Sequence, residues 1–148
     1  MNRALAVVEA SESAKELVRE AGELADGVGA SLVLLHITSD EEYENTRKSL
    51  EGIPNLETSY TAGQAFDGAQ QFAEDIGREV LEGVDIEYEA VGRVGDERDE
   101  ILNIAEEYGC DHVFLAGRKR SPTGKAIFGD RTQAVILDFD GAVTVVTE

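Results

Sequence analysis

A chain of 148 residues is long enough for one domain with a sizeable core and needs no second one. Its 42% hydrophobic content is that of a folded protein, yet 31 Asp and Glu against 13 Lys and Arg leave a formal net charge of −18, which repels nucleic acids and anionic membrane faces except at a local basic patch. With only four lysines, the charge composition points to a surface adapted to high salt and a halophilic source, an ordinary acidic surface being the alternative.

The chain opens MNRALAVVEA, without a charged-then-apolar leader pattern. Its longest apolar runs fall far short of the roughly 20 residues a membrane helix needs, so a soluble cytoplasmic protein with no membrane partner is expected. ALAVV (4–8) predicts a first strand. Ala14, Leu17, Val18, Ala21, Leu24, Ala25 and Val28 then follow helical spacing, opened by a capping box from Ser13 to Glu16 and closed by Gly29. LVLLHI (32–37) predicts a second strand. The polar stretch 38–61 contains Pro54 and predicts a long connection with one or two acidic helical turns.

Phe66, Ala69, Phe72, Ala73, Ile76 and Val80 predict a second helix, and VDIEYEAV (84–91) alternates as an edge strand does. A third helix carries Ile101, Leu102, Ile104, Ala105 and Tyr108 and ends at Gly109; the acids Asp96, Glu97, Asp99 and Glu100 stabilise its positive end and need no catalytic role. Cys110, the single cysteine, excludes an intrachain disulfide and a cysteine-cluster metal site, and with no His or Lys beside it in sequence it is read as inert. HVFLAG (112–117) predicts the fourth strand, Ala134, Val135 and Leu137 a short helix, and AVTVV (142–146) the fifth strand. His36 reads as a satisfied, partly buried group and His112 as a residue pointing into or over the sheet. The βαβαβαβαβ order, with four of five strands near-continuously apolar, implies an α/β fold: a doubly wound parallel sheet covered on both faces, with ligands at the carboxyl ends of the strands.

GRKRSPTGKAIFGDRT, residues 117–132, stands out in so acidic a chain, because five of the 13 cations (Arg118, Lys119, Arg120, Lys125 and Arg131) fall within it beside one acid, Asp130. A strand ending at Gly117, a loop with Gly124, and Gly129 opening a helix with Thr132 in its first turn suit an oxyanion: glycines allow close approach, helix N–H groups complement the charge, and Arg and Lys add donors. The alternative is a basic loop neutralising nearby acids. The spacing to Lys125 and the Ala126 after it do not fit a Walker A loop.

ALAVVEASESAKELVREAGELADGVGASLVLLHIT and GRVGDERDEILNIAEEYGCDHVFLAGRKRS together resemble the universal stress protein family over nearly the whole chain, and a single domain of that kind is expected over residues 1–148. The resemblance implies a flavodoxin-like, Rossmann-like five-stranded sheet of order 3-2-1-4-5 and a homodimer paired through the fifth strand. In one branch of that family ATP occupies the crevice through a G-x2-G-x9-G-[ST] signature. Gly117 matches its first glycine and Gly129 its third, while Arg120 replaces the second, with one residue fewer before Gly129, and Asp130 replaces the Ser/Thr; Thr132 remains as a later hydroxyl. Asp130 serves as well as Ser for a helix N-cap but is a poor phosphate neighbour. At the first strand's tip, Glu9 and Ala10 stand where the family commonly has Asp and Gly, making Glu9 a candidate for ribose hydroxyls, a solvated carboxylate being the alternative.

The leading expectation is a nucleotide-binding stress-response module for ATP (with Mg) or AMP; the alternative is a nucleotide-independent dimeric interaction module. Weak ATP hydrolysis ranks third, as no general base, nucleophile or metal cluster stands out, and nucleic-acid binding fourth.

Overall fold

Runs such as Leu32 to Leu35 have no polar face to show to water and demand cover on both sides. The computed structural model, which describes residues 1–51, 62–117 and 129–147, supplies it. Five strands, β1 (Arg3–Val7), β2 (Ser31–Thr38), β3 (Tyr88–Val94), β4 (His112–Gly117) and β5 (Ala142–Thr147), form one parallel sheet in the order β3-β2-β1-β4-β5. Five helices pack on it: α1 (Ser13–Val28), α2 (Asp40–Glu51), α3 (Ala62–Val80), α4 (Glu97–Glu107) and α5 (Asp130–Asp138).

Alternate strand residues serve alternate faces. Ala4, Ala6, Leu32, Leu34 and Phe114 point to one side and pack with Leu17, Ala21, Ala73 and Ile76 of α1 and α3. Leu5, Val33, Leu35, Val113 and Leu115 point to the other, against Ile101, Ile104 and Val135 of α4 and α5. Each fully buried Leu or Ile removed from water contributes on the order of 2 kcal/mol, and both layers are continuous through the central strands. Gly29 ends α1 in the left-handed region at φ 72°, its N–H bonded to the carbonyls of Ala25 and Asp26, which turns the chain into β2.

The structure departs from the sequence reading in several places. β3 begins at Tyr88, not Val84: residues 81–86 form a turn, with Val84 N donating to Leu81 O at 3.0 Å, and Val84 and Ile86 pack against the α1/α3 core instead. The strand then continues through Gly92 to Val94 in register with Thr38. The stretch after β2 holds α2, a helix of 12 residues rather than one or two turns. Its start carries Asp40, Glu41 and Glu42 where the dipole favours acids, and Ser39 Oγ accepts from Glu42 N at 3.1 Å. Ser13 does not cap α1: it is already helical, the N-cap is Glu12 without a side-chain bond, and Ser13 Oγ pairs instead with Ser11 Oγ at 2.8 Å. β5 is not covered on both faces. As an outer strand bonded only to β4, it leaves Val143 to Val146 half-buried.

Both histidines are structural. His36 Nδ1 shares a 2.6 Å hydrogen bond with Val8 O, its ring 4.3 Å from that of Phe72. His112 Nε2 bonds Thr144 Oγ1 at 2.7 Å across β4 and β5 and stacks on Phe114, and burial holds its pKa below the ordinary value.

Candidate functional site

In this strand order the crossovers run to opposite sides from β1 and β4, so the chain segments leaving their carboxyl ends separate and leave a crevice. There the tip of β1 faces the start of α5 across the end of β4. Glu9, Ser11, Ala116, Gly117, Gly129, Asp130, Arg131 and Thr132 line a cavity of about 310 Å³. A second cavity of about 310 Å³ adjoins it on the β2 side and is bordered by Val7, Val8, Ala10, His36, Ile37, Glu42 and Glu97, with Glu9, Ser11 and Arg131 common to both.

The helix that opens onto this crevice begins one residue earlier than its acid suggests. Gly129 is the N-cap, with no side-chain cap, and Asp130 is the first helical residue rather than the cap. Gly129 has an ordinary φ of −59°, and a Cβ placed on it would meet nothing within 4 Å among the described residues. Among the described residues the space over this glycine is unfilled, as close approach by a ligand requires. Thr132 is buried, and its hydroxyl donates to Ala116 O at 3.4 Å, tying α5 to the end of β4.

Charge in the crevice is organised around Arg131. Its Nη2 pairs with Glu9 Oε1 and its Nη1 with Glu97 Oε2, so one guanidinium bridges the tip of β1 and the first turn of α4. The three side chains are 28%, 33% and 27% exposed, enough removed from solvent that salt screens them less than surface pairs. Burial lowers the Arg131 pKa, opposing its charge. Glu97 is therefore more than a helix-end acid: α4 starts on the same side of the sheet as the other carboxyl-end loops, and that placement was the available signal for it.

Of the residues singled out in sequence, Glu9, Gly117, Gly129, Asp130, Arg131 and Thr132 meet around the first cavity, and Ala10 borders the second. Arg118, Lys119, Arg120, Gly124 and Lys125 lie outside the described residues. Ser11, His36, Glu42 and Glu97 were not anticipated as lining. Cys110 is buried and far from this chemistry; desolvation pushes its thiol up to about 11. Among the described residues no group of three or more His, Cys, Asp or Glu could hold a metal, and no helix is long and apolar enough to cross a membrane.

The family model for universal stress proteins matches residues 1–147. The chain belongs to the universal stress protein family. Three solved members share its architecture along nearly their whole length. A universal stress protein from Archaeoglobus fulgidus is 25% identical, with a TM-score of 0.64 over 98% of this chain and 97% of its own. Another, solved in complex with cAMP, is 15% identical with a TM-score of 0.64 over 99% and 96%. A third, from Archaeoglobus fulgidus in complex with dAMP, is 19% identical with a TM-score of 0.59 over 98% and 96%. No curated protein matches the sequence.

Proposed function

We propose that this universal stress protein binds an adenine nucleotide, AMP or ATP, in the crevice between β1 and β4. The carrying observation is the cavity itself: it lies where the crossovers diverge, is floored by the N-terminus of α5, and has at Gly129 a backbone with nothing within 4 Å of an added Cβ among the described residues. Helix N–H groups without intrahelical partners and a positive dipole end suit a phosphate, and the cationic residues 118–125 follow β4 directly in the chain. Glu9 suits ribose hydroxyls, Arg131 and the α5 amides suit phosphate oxygens, and Mg accompanies ATP when that is the ligand. Relatives of the same architecture bind cAMP and dAMP, which supports the nucleotide class. In this reading the protein is a cytoplasmic stress-response module of a halophilic cell, with ligand occupancy rather than catalysis as its signal.

The dimer partner is a second copy paired through β5, whose valines are half-buried; Leu137 and Ile136 of α5 are also exposed. An uncovered apolar edge strand favours such pairing. The pairing of Arg131 with Glu9 and Glu97 favours a second reading, in which the site is self-neutralised and the protein acts as a nucleotide-independent dimeric module.

Thermal melting with AMP and ATP separates the two readings. A bound nucleotide at a hundredfold excess over its Kd adds about 3 kcal/mol to stability. For a chain of this size that raises the midpoint by about 6–12 °C. Replacing Arg118, Lys119 and Arg120 together by Ala should abolish the rise. No shift with either nucleotide at millimolar concentration refutes nucleotide binding and leaves the dimeric module.

A further inference from the structure

We propose that Arg131 is the residue through which the site demands a phosphate: a latch, closed on Glu9 and Glu97, that an anion opens and a neutral nucleoside does not. The inference rests on reading the crevice as a nucleotide site and adds the specificity of that site.

Arg131 occupies a junction. It lines the cavity beside α5, the adjoining cavity beside β2, and an outer groove of about 570 Å³ that also carries Asp40, Asp96 and Asp130. Glu9, Ser11 and Arg131 are the residues common to the two inner cavities, so the Glu9–Arg131 pair forms the wall between them. A ligand with a sugar or base on one side and a phosphate on the other must part that pair.

The charges say which ligands can. Glu9, Glu42, Glu97 and Asp130 line the two inner cavities among the described residues, and Glu9 and Glu97 hold Arg131, so an incoming phosphate competes with them for that guanidinium. It binds by taking their place. An Arg–phosphate contact is charge-assisted and bidentate, of the same kind as the contacts it replaces, and the exchange is close to balanced. Arg131 Nε is buried without a hydrogen-bond partner among the described residues. Adenosine has no charge to offer Arg131, leaves the wall standing, and gains only the half of the site it can reach. When Arg131 turns to phosphate, Glu9 is released to accept from ribose hydroxyls.

The test is calorimetric titration of the full chain, at one fixed ionic strength, with AMP, adenosine and inorganic tripolyphosphate, for wild type, Glu97→Gln and Arg131→Gln. Removing one competing carboxylate should strengthen AMP and tripolyphosphate roughly five- to tenfold, at the lower end of typical coupling between competing contacts, and leave adenosine within twofold. Arg131→Gln should lower the AMP-to-adenosine affinity ratio at least roughly fivefold. If Arg131→Gln fails to fold, Glu97→Gln decides alone. An AMP-to-adenosine ratio unmoved by Glu97→Gln, where AMP binds, overturns the latch and leaves the nucleotide reading intact. Tripolyphosphate binding strengthened by Glu97→Gln without any AMP or adenosine binding supports the latch and overturns the nucleotide reading. Anion binding that appears only in Glu97→Gln also supports the latch, and no binding of any probe by either protein overturns both.

Discussion

Gly92 tests whether β3 and α3 are placed as described, and with them the loop that carries Glu97 to the crevice. It is buried under the helix. A Cβ added there would lie 2.7 Å from Ala69 C and from Gln70 Cα, and closer still to Gln70 N. Carbon atoms pack at about 3.5–4.0 Å, so α3 must retreat by about 1 Å, and because the three nearest obstacles are backbone atoms no rotamer change relieves it. Overpacking of this kind costs about 1–3 kcal/mol and occasionally more, and a backbone collision belongs at the upper end. At about 3 kcal/mol, Gly92→Ala lowers the melting midpoint by about 6–12 °C. Circular dichroism melts of the purified chain measure it, with Gly68→Ala as the control. Gly68 lies on the exposed side of α3 with nothing within 4 Å of an added Cβ among the described residues, so its replacement should stabilise by about 1 kcal/mol. A Gly92→Ala midpoint within about 2 °C of wild type refutes the packing of α3 on β3.

Two further outcomes follow from the opposite end of the sheet. Asp111 accepts from Asn2 N at 2.9 Å and Arg3 N at 3.3 Å, chiefly the former holding its pKa below the usual carboxylate value. Its contribution is present above the unfolded value near 4 and is lost as pH falls through the folded one, so urea titrations from pH 6 to pH 2 should show wild type losing stability more steeply than Asp111→Asn at the acid end; parallel curves would discount the contact. Cys110, buried and with its thiol at about 11, should be about one part in a thousand thiolate at pH 8 and resist a disulfide reagent until the chain is unfolded, whereas rapid modification of the native protein would contradict its burial.

What could be read from the sequence was what local chemistry decides. β1, β2 and β4 appear within a residue or so of their apolar runs because continuous Val, Leu and Phe have one way to be buried in an alternating α/β chain. Gly29 and Gly109 closed their helices as expected, both with positive φ. β3 was displaced because Val84 and Ile86 satisfy the alternation while serving a turn, and only the pairing with β2 fixes where the strand starts. α2 was underestimated because its acids were read as a solvated connection, although Ser39 followed by Glu42 is itself a helix-start signal. In the site, Glu9, Gly117, Gly129, Arg131 and Thr132 could be nominated from the chain order of strand tips and helix starts. The engagement of Arg131 by Glu9 and Glu97 could not, since it joins the tip of β1 to the first turns of α4 and α5, whose proximity exists only once the sheet is assembled.

That engagement changes how an anion site can exist in so acidic a protein. A half-buried guanidinium left without a partner would bear the full desolvation cost, and a chain with 31 carboxylates always has one near enough to relieve it. A preformed, unoccupied phosphate cradle is therefore not the stable state of such a crevice. On the proposed reading the protein's own carboxylates stand where the ligand's oxygens would go, and binding is an exchange of partners. The affinity of that exchange is set by the difference between two similar contacts, so single charges at Glu9, Glu97 and Asp130 control it more sharply than added cations would. It also makes salt a weaker competitor than at an exposed basic patch, because screening lowers the latched and the ligated pairings together. An adenine nucleotide that bound through residues 118–125 alone would show the steep salt dependence of surface charge, and one that trades with Glu97 for Arg131 would not.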